Sequence, residues 1–280
     1  MDNSLTIVFN AYHSKFSLSK VLRNLRNFKV IIIENSRDFN LKKKLEKKYK
    51  NVEIIIPNQN LGIAKGYNLA VKRSKTKYVF LNAPDIKISI KCINKLLNYA
   101  KKIKKFAIIA PTFKDQKIFK NYSNFEEKID SNLSSVKWID NNFLIKRKDF
   151  KNIAFDENYF LYFETYDFCL NLFRKNKKMY VLKKNNFKHY WSASVDREFA
   201  HLAQLTKAWH YSWSKFYFYK KNYNYFYALS KIIPNIIKSS KLLIINLFKA
   251  NFFKARLNLL ELYGIFSSIF LLKSFYRAKK

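Results

Sequence analysis

"VEIIIPNQNLGIAKGYNLAVKR", residues 52–73, decides the fold. Its first part is a short run of β-branched apolar residues without polar alternation, the pattern of a strand covered on both faces. From residue 63 to 74 the spacing is helical, and Gly62 and Gly66, two of the protein's three glycines, stand at the opening of that helix. A buried strand, a polar loop and a helix make one βα unit. The same unit recurs on either side.

Working outward, residues 5–10 (LTIVFN), 29–35 (KVIIIEN), 77–82 (KYVFLN) and 106–111 (FAIIAP) are near-continuous apolar runs, and helical spacing fills 17–28, 41–50 and 89–104. Strands of this kind alternating with helices predict a doubly wound, Rossmann-like α/β fold with a mostly parallel sheet flanked by helices. Ligands bind such sheets beyond the carboxyl ends of the strands. Polar residues collect there: "NAYHS", "ENSRD", "PNQNLGIAKGYN" and "NAPDIKIS" follow the first four strands. Past residue 112 the spacing predicts shorter strands at 135–140 and 142–147, a helix from Glu164, strands at 178–182 and 187–191, and a helical extension from residue 197.

The 280 residues are 49% apolar and 18% aromatic, ample for a core, and three Gly with four Pro exclude collagen-like repeats and long flexible linkers. Net charge is +36, from 55 Lys and Arg against 19 Asp and Glu. Two readings stand: an anionic partner, nucleic acid or membrane, or a coding bias that also raises Asn, Ile, Phe and Tyr. After Glu198 the only acid is Glu261, against fourteen Lys or Arg between Lys207 and Lys280. Cys92 and Cys169 sit in apolar surroundings without zinc-binding spacing, as reduced core residues would. The start, "MDNSLTIVFNAYHS", has no signal-peptide pattern. The longest uncharged run of the extension, "LYGIFSSIFLL", is eleven residues, against the roughly 20 that span a bilayer. The expectation is a cytoplasmic protein. Its basic, aromatic extension either lies on an anionic membrane surface or packs to close a site or form a homodimer.

Asp85, behind Pro84 at a strand end, is placed as a carboxylate that holds a hard divalent cation would be. The helix N-terminus after Gly62 suits phosphate, although the glycine spacing fits neither a Walker nor a Rossmann fingerprint. With a helix starting at Glu164, about 100° per residue puts Glu164, Asp167, Asn171 and Arg174 on one narrow stripe. Tyr166, Cys169, Leu170 and Phe173 fall opposite. Such a stripe presents acids to a cleft, where a carboxylate serves as a general base. The competing reading of Glu164 is a partner for the helix macrodipole.

The ordered blocks "IENSRD", "NQNLGIAKGYNLAV", "YVFLNAPDI", "VKWIDNNFLIKR", "FDENYFLYFETYDFCLNLFRKNKKMYVL" and "HYWSAS", over residues 4–195, resemble the family 2 glycosyltransferases of GT-A fold, particularly their rhamnosyltransferase-like branch. The resemblance implies inverting transfer of a sugar from a dTDP- or UDP-sugar to a saccharide or lipid-linked acceptor in cell-surface polysaccharide synthesis. By that resemblance residues 1–196 form the GT-A domain, 1–111 its nucleotide-binding half and 112–196 its acceptor and catalytic half. Glu34, Asn35, Ser36 and Asp38 would meet base and ribose, and Asn60, Gly62, Gly66 and Asn82 the rest of the donor. Asp85 matches the last acid of a DxD-type motif, and with His189 would hold Mg²⁺ or Mn²⁺. Trp138 and Asp140 would contact acceptor, and Glu164 and Asp167 are the catalytic candidates. Two positions depart from the pattern: Ala83 stands where the motif usually begins, and Thr165 where the family usually carries its base. A Thr hydroxyl is no base at neutral pH, so Glu164 or Asp167 takes the proton or the chain is a degenerate GT-A fold that binds nucleotide without turnover. A basic nucleic-acid-binding protein with interleaved aromatics is the alternative of another class.

Overall fold

The computed structural model describes residues 2–103, 105–113, 120–140, 142–150, 152–189 and 194–278. The chain divides into two compact units, Met1–Phe155 with Phe168–Asp196, and Asp156–Asp167 with Arg197–Lys280.

The first unit is built on one sheet. Its strands are β1 Asp2–Ala11, β2 Phe28–Glu34, β3 Val52–Ile55, β4 Tyr78–Asn82, β5 Ile86–Lys87, β6 Ile108–Phe113, β7 Phe125–Lys128, β8 Leu133–Val136, β9 Phe143–Lys146 and β10 Met179–His189. They run in the order β3-β2-β1-β4-β9-β6-β10-β8-β7, with β5 paired to the end of β10. β3, β2, β1 and β4 are parallel, as are β6 and β10. β9 lies antiparallel between β4 and β6. Strand order reverses between β1 and β4, and in open α/β sheets ligands bind beyond the carboxyl ends at such a switch point.

The helices α1 Lys15–Val21, α2 Phe39–Lys48, α3 Gly62–Arg73, α4 Ile90–Lys102 and the short α5 Arg147–Phe150 belong to this unit. Local chemistry sets their starts. Asp38 Oδ1 accepts the Leu41 amide at 2.7 Å to cap α2, and Ser89 Oγ accepts that of Cys92 at 3.1 Å to cap α4. The strands are covered as their sequences predict: in β2 every residue but Lys29 is buried. Leu5, Ile7, Phe9, Ile32, Phe80 and Leu96 are all fully enclosed in one core.

Three expectations need correction. The first is the strand expected at 135–140: β8 ends at Val136, and Trp138–Asp140 continue as a loop with one bridge, from Ile139 to Tyr122. Secondly, the strands expected at 178–182 and 187–191 are one strand, β10, bent where Lys184 takes φ 54° and the register against β6 slips between Leu182 and Asn186. Residues 190–193 lie outside the described residues. The third concerns α6 Glu164–Arg174, whose polar stripe ends early: Glu164 and Asp167 are buried, whereas Asn171 and Arg174 are exposed, as are Tyr166 and Phe173.

The second unit carries α7 Ala200–Asn222, α8 Tyr225–Phe248 and α9 Phe252–Ile269. Phe216 of α7, Ala228 and Ile232 of α8 and Ile265 of α9 form a buried cluster. Gly264 allows the backbones to approach: a Cβ there would stand 2.2 Å from the Trp209 carbonyl oxygen. After α9 the chain runs back along α7. Trp213 Nε1 donates to the Leu272 carbonyl at 2.9 Å, and the Ala278 amide donates to Thr206 Oγ1 at 3.1 Å. His210, fully buried, has Nε2 2.8 Å from the Tyr276 carbonyl. Among the described residues no helix is long and apolar enough to cross a membrane.

Burial, with Arg277 adding to it, pushes the His210 imidazole down from 6.5 to about 3. The unfolded chain therefore takes up the proton first, so the stability this group contributes is complete above 6.5 and is lost as pH falls from 6.5 towards 3. Lowering pH from 6.5 to about 4 is expected to cost the wild type roughly 3 kcal/mol more than His210→Gln, which keeps a hydrogen-bonding side chain beside Tyr276 and Arg277 without titrating. Urea midpoints measured across that range check this.

Candidate active site

Asn10, next to last in β1, is buried, and its amide ties three elements together. Nδ2 donates to the carbonyls of Gly62 at 2.7 Å and Ile63 at 3.2 Å, at the start of α3. Oδ1 accepts from Asn35 Nδ2. Asn35, just past β2, also donates to the Ala11 carbonyl at 3.2 Å and accepts the Leu61 amide at 2.9 Å. Asn60 Oδ1 accepts the Gly62 amide at 3.0 Å, and Gly62 takes φ 70°, where a Cβ is penalised. Gly66, one turn on, is needed for space: a Cβ would lie 2.4 Å from Asn10 Nδ2. Asn35, Asn60, Gly62 and Gly66 are among the expected donor residues; Asn10 stands in the block NAYHS without a role that the sequence assigns.

The loop after β2 is organised by Glu34. This carboxylate is fully buried; Oε1 accepts from the Ser36 amide at 3.1 Å and from the Ser36 hydroxyl, and Oε2 accepts the Asp38 amide at 2.8 Å. Ser36 Oγ accepts the His13 amide at 3.3 Å. Three donors thus compensate a buried charge. Burial, then the charge of Glu34, raises the Tyr12 phenol above its usual range. Glu34, Ser36 and Asp38 shape this loop through its backbone.

At the end of β4, Asn82 is fully buried, with Nδ2 donating to the Ile86 carbonyl at 3.1 Å. The Ala83 amide donates to Asn142 Oδ1 at 3.0 Å, and the Ile86 amide to the Ala83 carbonyl at 3.1 Å. The turn is pinned at both ends, which fixes Asp85. Asp85 Oδ2 lies 3.3 Å from His189 Nε2, at the point where β10 pairs with β5. Phe113 holds the His189 ring edge-on at 6.3 Å. Among the described residues no group of three His, Cys, Asp or Glu gathers that could hold a metal. One carboxylate and one imidazole would hold a divalent cation only together with further ligands from water or phosphate oxygens. Trp138 and Asp140 follow β8 in a loop tied by backbone bonds to residues 121–123.

Glu164 and Asp167 belong to the second unit. Asp167 is engaged on both oxygens: Oδ2 receives Lys221 Nζ at 2.6 Å, and Oδ1 receives Asn222 Nδ2 at 2.7 Å and the Tyr159 hydroxyl at 3.4 Å. Lys221 also reaches Asp156 Oδ2, at 2.7 Å, which accepts from the Tyr217 hydroxyl at 3.0 Å. Burial works to raise Asp156, but the hydrogen bonds from Lys221 and Asn158 outweigh it and hold the carboxyl below its usual range. For Lys221 burial works downward, and the bonds to Asp156 and Asp167 leave it raised. Asp167 thereby clamps residues 156–167 to α7. Glu164, also buried, opens α6 directly after Tyr162 and Phe163, which take φ 65° and 64°. Two bulky left-handed residues in succession are the kind of strain that surrounding structure maintains at functional positions. Thr165, the departure from the expected motif, is buried beside them.

The family model described as Glycosyl transferase family 2 matches residues 8–168. No curated protein matches the sequence. Among solved structures, S. aureus TarS is similar at TM-score 0.53 and 13% identity, over 73% of this chain and 39% of its own. The mannosyltransferase PcManGT from Pyrobaculum calidifontis, in complex with GDP-Man and Mn²⁺, is similar at TM-score 0.58 and 9% identity, over 95% of this chain and 87% of its own. GalNAc-T7 with UDP, GalNAc and Mn²⁺ is similar at TM-score 0.57 and 10% identity, over 84% of this chain and 57% of its own. The shared fold is GT-A: a mostly parallel central sheet flanked by helices, with a C-terminal helical region.

Two substitutions test the strand-end network. Gly66→Ala is expected to displace the Asn10 amide and cost about 1–3 kcal/mol, and Asn10→Ala to cost a similar amount by leaving the Asn35 donor and the Gly62 carbonyl unsatisfied. If the two changes act on one network, the double variant costs clearly less than the sum in urea denaturation. Asp167→Asn is expected to cost about 1–3 kcal/mol, below the figure for a fully buried pair because Lys221 is partly solvated. The same denaturation assay reads it.

Proposed function

Because the chain belongs to glycosyl transferase family 2, we propose that it is an inverting enzyme moving a sugar from a nucleoside-diphosphate donor to an acceptor hydroxyl. The observation that carries this reading is the family match over residues 8–168, which takes in the strand-end loops and Asp85; His189, 3.3 Å from Asp85, follows the matched stretch. Two of the similar structures hold a nucleotide or nucleotide sugar together with Mn²⁺. The chain spans 39% of the TarS chain, so whole-protein activity is not carried over from it.

In this reading residues 1–111 bind the nucleotide, with Asn35, Asn60, Gly62, Gly66 and Asn82 setting the backbone that meets the donor. Glu34, Ser36 and Asp38 act on base and ribose through the loop they hold. Asp85 and His189 would hold Mg²⁺ or Mn²⁺ with the diphosphate, where the ion offsets leaving-group charge. Residues 112–196 serve the acceptor, through Trp138 and Asp140. Of the two candidate bases, Glu164 is the first to test for taking the proton from the attacking hydroxyl; Asp167 also holds Lys221, Asn222 and Tyr159. The sequence blocks shared with the rhamnosyltransferase-like branch make dTDP- and UDP-sugars the first donors to test. A saccharide or lipid-linked saccharide of the cell surface is the acceptor class.

Asp167's structural engagement and Thr165 favour one second reading, a GT-A fold that binds nucleotide without turnover. Thermal unfolding with UDP, dTDP and GDP, each with and without Mn²⁺, is expected to show a shift for at least one nucleotide; none with any would sink both readings. In a donor-sugar screen Glu164→Gln is expected to lower turnover about 10²–10⁴-fold while keeping the nucleotide shift. Nucleotide binding without turnover of any donor would select the second reading.

A further inference from the structure

The outer faces of α8 and α9 are built inside out. A helix of a water-soluble protein buries its large apolar residues and exposes its polar ones. Here the positions turned inward include Ser239 on α8 and Asn258, Gly264, Ser267 and Ser268 on α9. Ser239 Oγ donates to Glu261 Oε2 at 2.6 Å, and Asn246 Nδ2 to Asn258 Oδ1 at 2.9 Å, so towards the tip the two helices meet through small and hydrogen-bonded residues, beyond the apolar cluster of Ile232 and Ile265. Facing outward on α8 are Ile233, Ile237, Ile244 and Phe248, a stripe at helical spacing. On α9 the outward stripe is Phe252, Leu259 and Phe266, with Phe270 just past its end. At the tip, where Ala250 turns the chain with φ 50°, Phe248 is 89% and Phe252 71% exposed. Exposed apolar surface on this scale marks a binding face.

Charge identifies the occupant. Lys238, Lys241, Lys249, Lys254 and Arg256 are exposed around the stripes, and the only acid after Glu198, Glu261, is turned inward to Ser239. A second copy of this chain would bring these cations against their like, within a molecule already at +36. An anionic bilayer accepts both features, the aromatic and aliphatic side chains at the acyl boundary and the cations among the headgroups. Neither helix is apolar enough to cross it. We propose that the outer face and tip of the α8–α9 hairpin dock this protein on a membrane surface rich in anionic lipid. The inference stands on this face alone and is independent of the donor and the base.

Flotation of the full chain with phosphatidylglycerol-containing and with pure phosphatidylcholine vesicles tests it. The expected result is salt-weakened binding to the anionic vesicles and little to the neutral ones. Phe248→Ser with Phe252→Ser is expected to weaken binding about tenfold or more, and Lys249→Gln, Lys254→Gln and Arg256→Gln together about tenfold or more. All five side chains are exposed, so the unfolding midpoint should not move; the charge variant keeps the test sharp if the aromatic one fails to fold. Failure to bind anionic vesicles would overturn the proposal. So would wild-type binding by both variants, or a dimer in light scattering that the aromatic variant dissociates.

Discussion

The buried amide of Asn10 is the constraint on which the strand-end loops depend. Its N–H groups go to the Gly62 and Ile63 carbonyls and its oxygen to Asn35. An amide inside a protein has to satisfy both ends, because each one left open costs more than the bond it replaces contributes. That requirement propagates. It leaves position 66 no room for a Cβ and fixes Asn35, and through Asn35 the Leu61 amide. One residue before Asn10, Phe9 pairs with Asn82, so the turn that presents Asp85 springs from the same level of the sheet.

Against an excess of cations, the acids this chain places inside matter more than the many on its surface. Glu34, Asp85, Glu164 and Asp167 are buried, and each has a different setting. Glu34 is satisfied by a loop, Asp85 faces a histidine, and Asp167 answers a lysine shared with Asp156. Glu164 begins a helix behind two left-handed residues. Local environment separates the four into loop anchor, candidate ion ligand, clamp and candidate base. Residue type alone does not, and for that reason the charge total by itself says little about function.

The parallel half of the sheet was legible because doubly covered strands write continuous apolar runs, as in residues 30–33, and because the rare Gly62 marks the start of α3 and the isolated Asp85 the turn after β4. The block NAYHS shows Asn10 but not its role, because its partners lie 52 and 53 residues away. The helical stripe through Glu164 and Asp167 was half right. Periodicity gave their common face, but Asn171 and Arg174 fall where that face has already emerged into solvent. Lys221 as the partner of Asp167 could not be read at all, since one more lysine in a lysine-rich helix carries no pattern. The bulge at Lys184 hid in the same way: a break in apolar alternation reads as a loop between two strands as readily as a bend within one.

The position of β10 has a bearing on how the chain is made. β10 lies between β6 and β8, yet it is the last strand of the sheet in sequence. During synthesis β1 to β4 can assemble as soon as they emerge, whereas β6 and β8 must hold one edge open until residues 179–189 leave the ribosome. Pairing across such separations is slow, and open edges invite pairing with other chains. The second half of the sheet is therefore the part of this protein most in need of protection while it is being born.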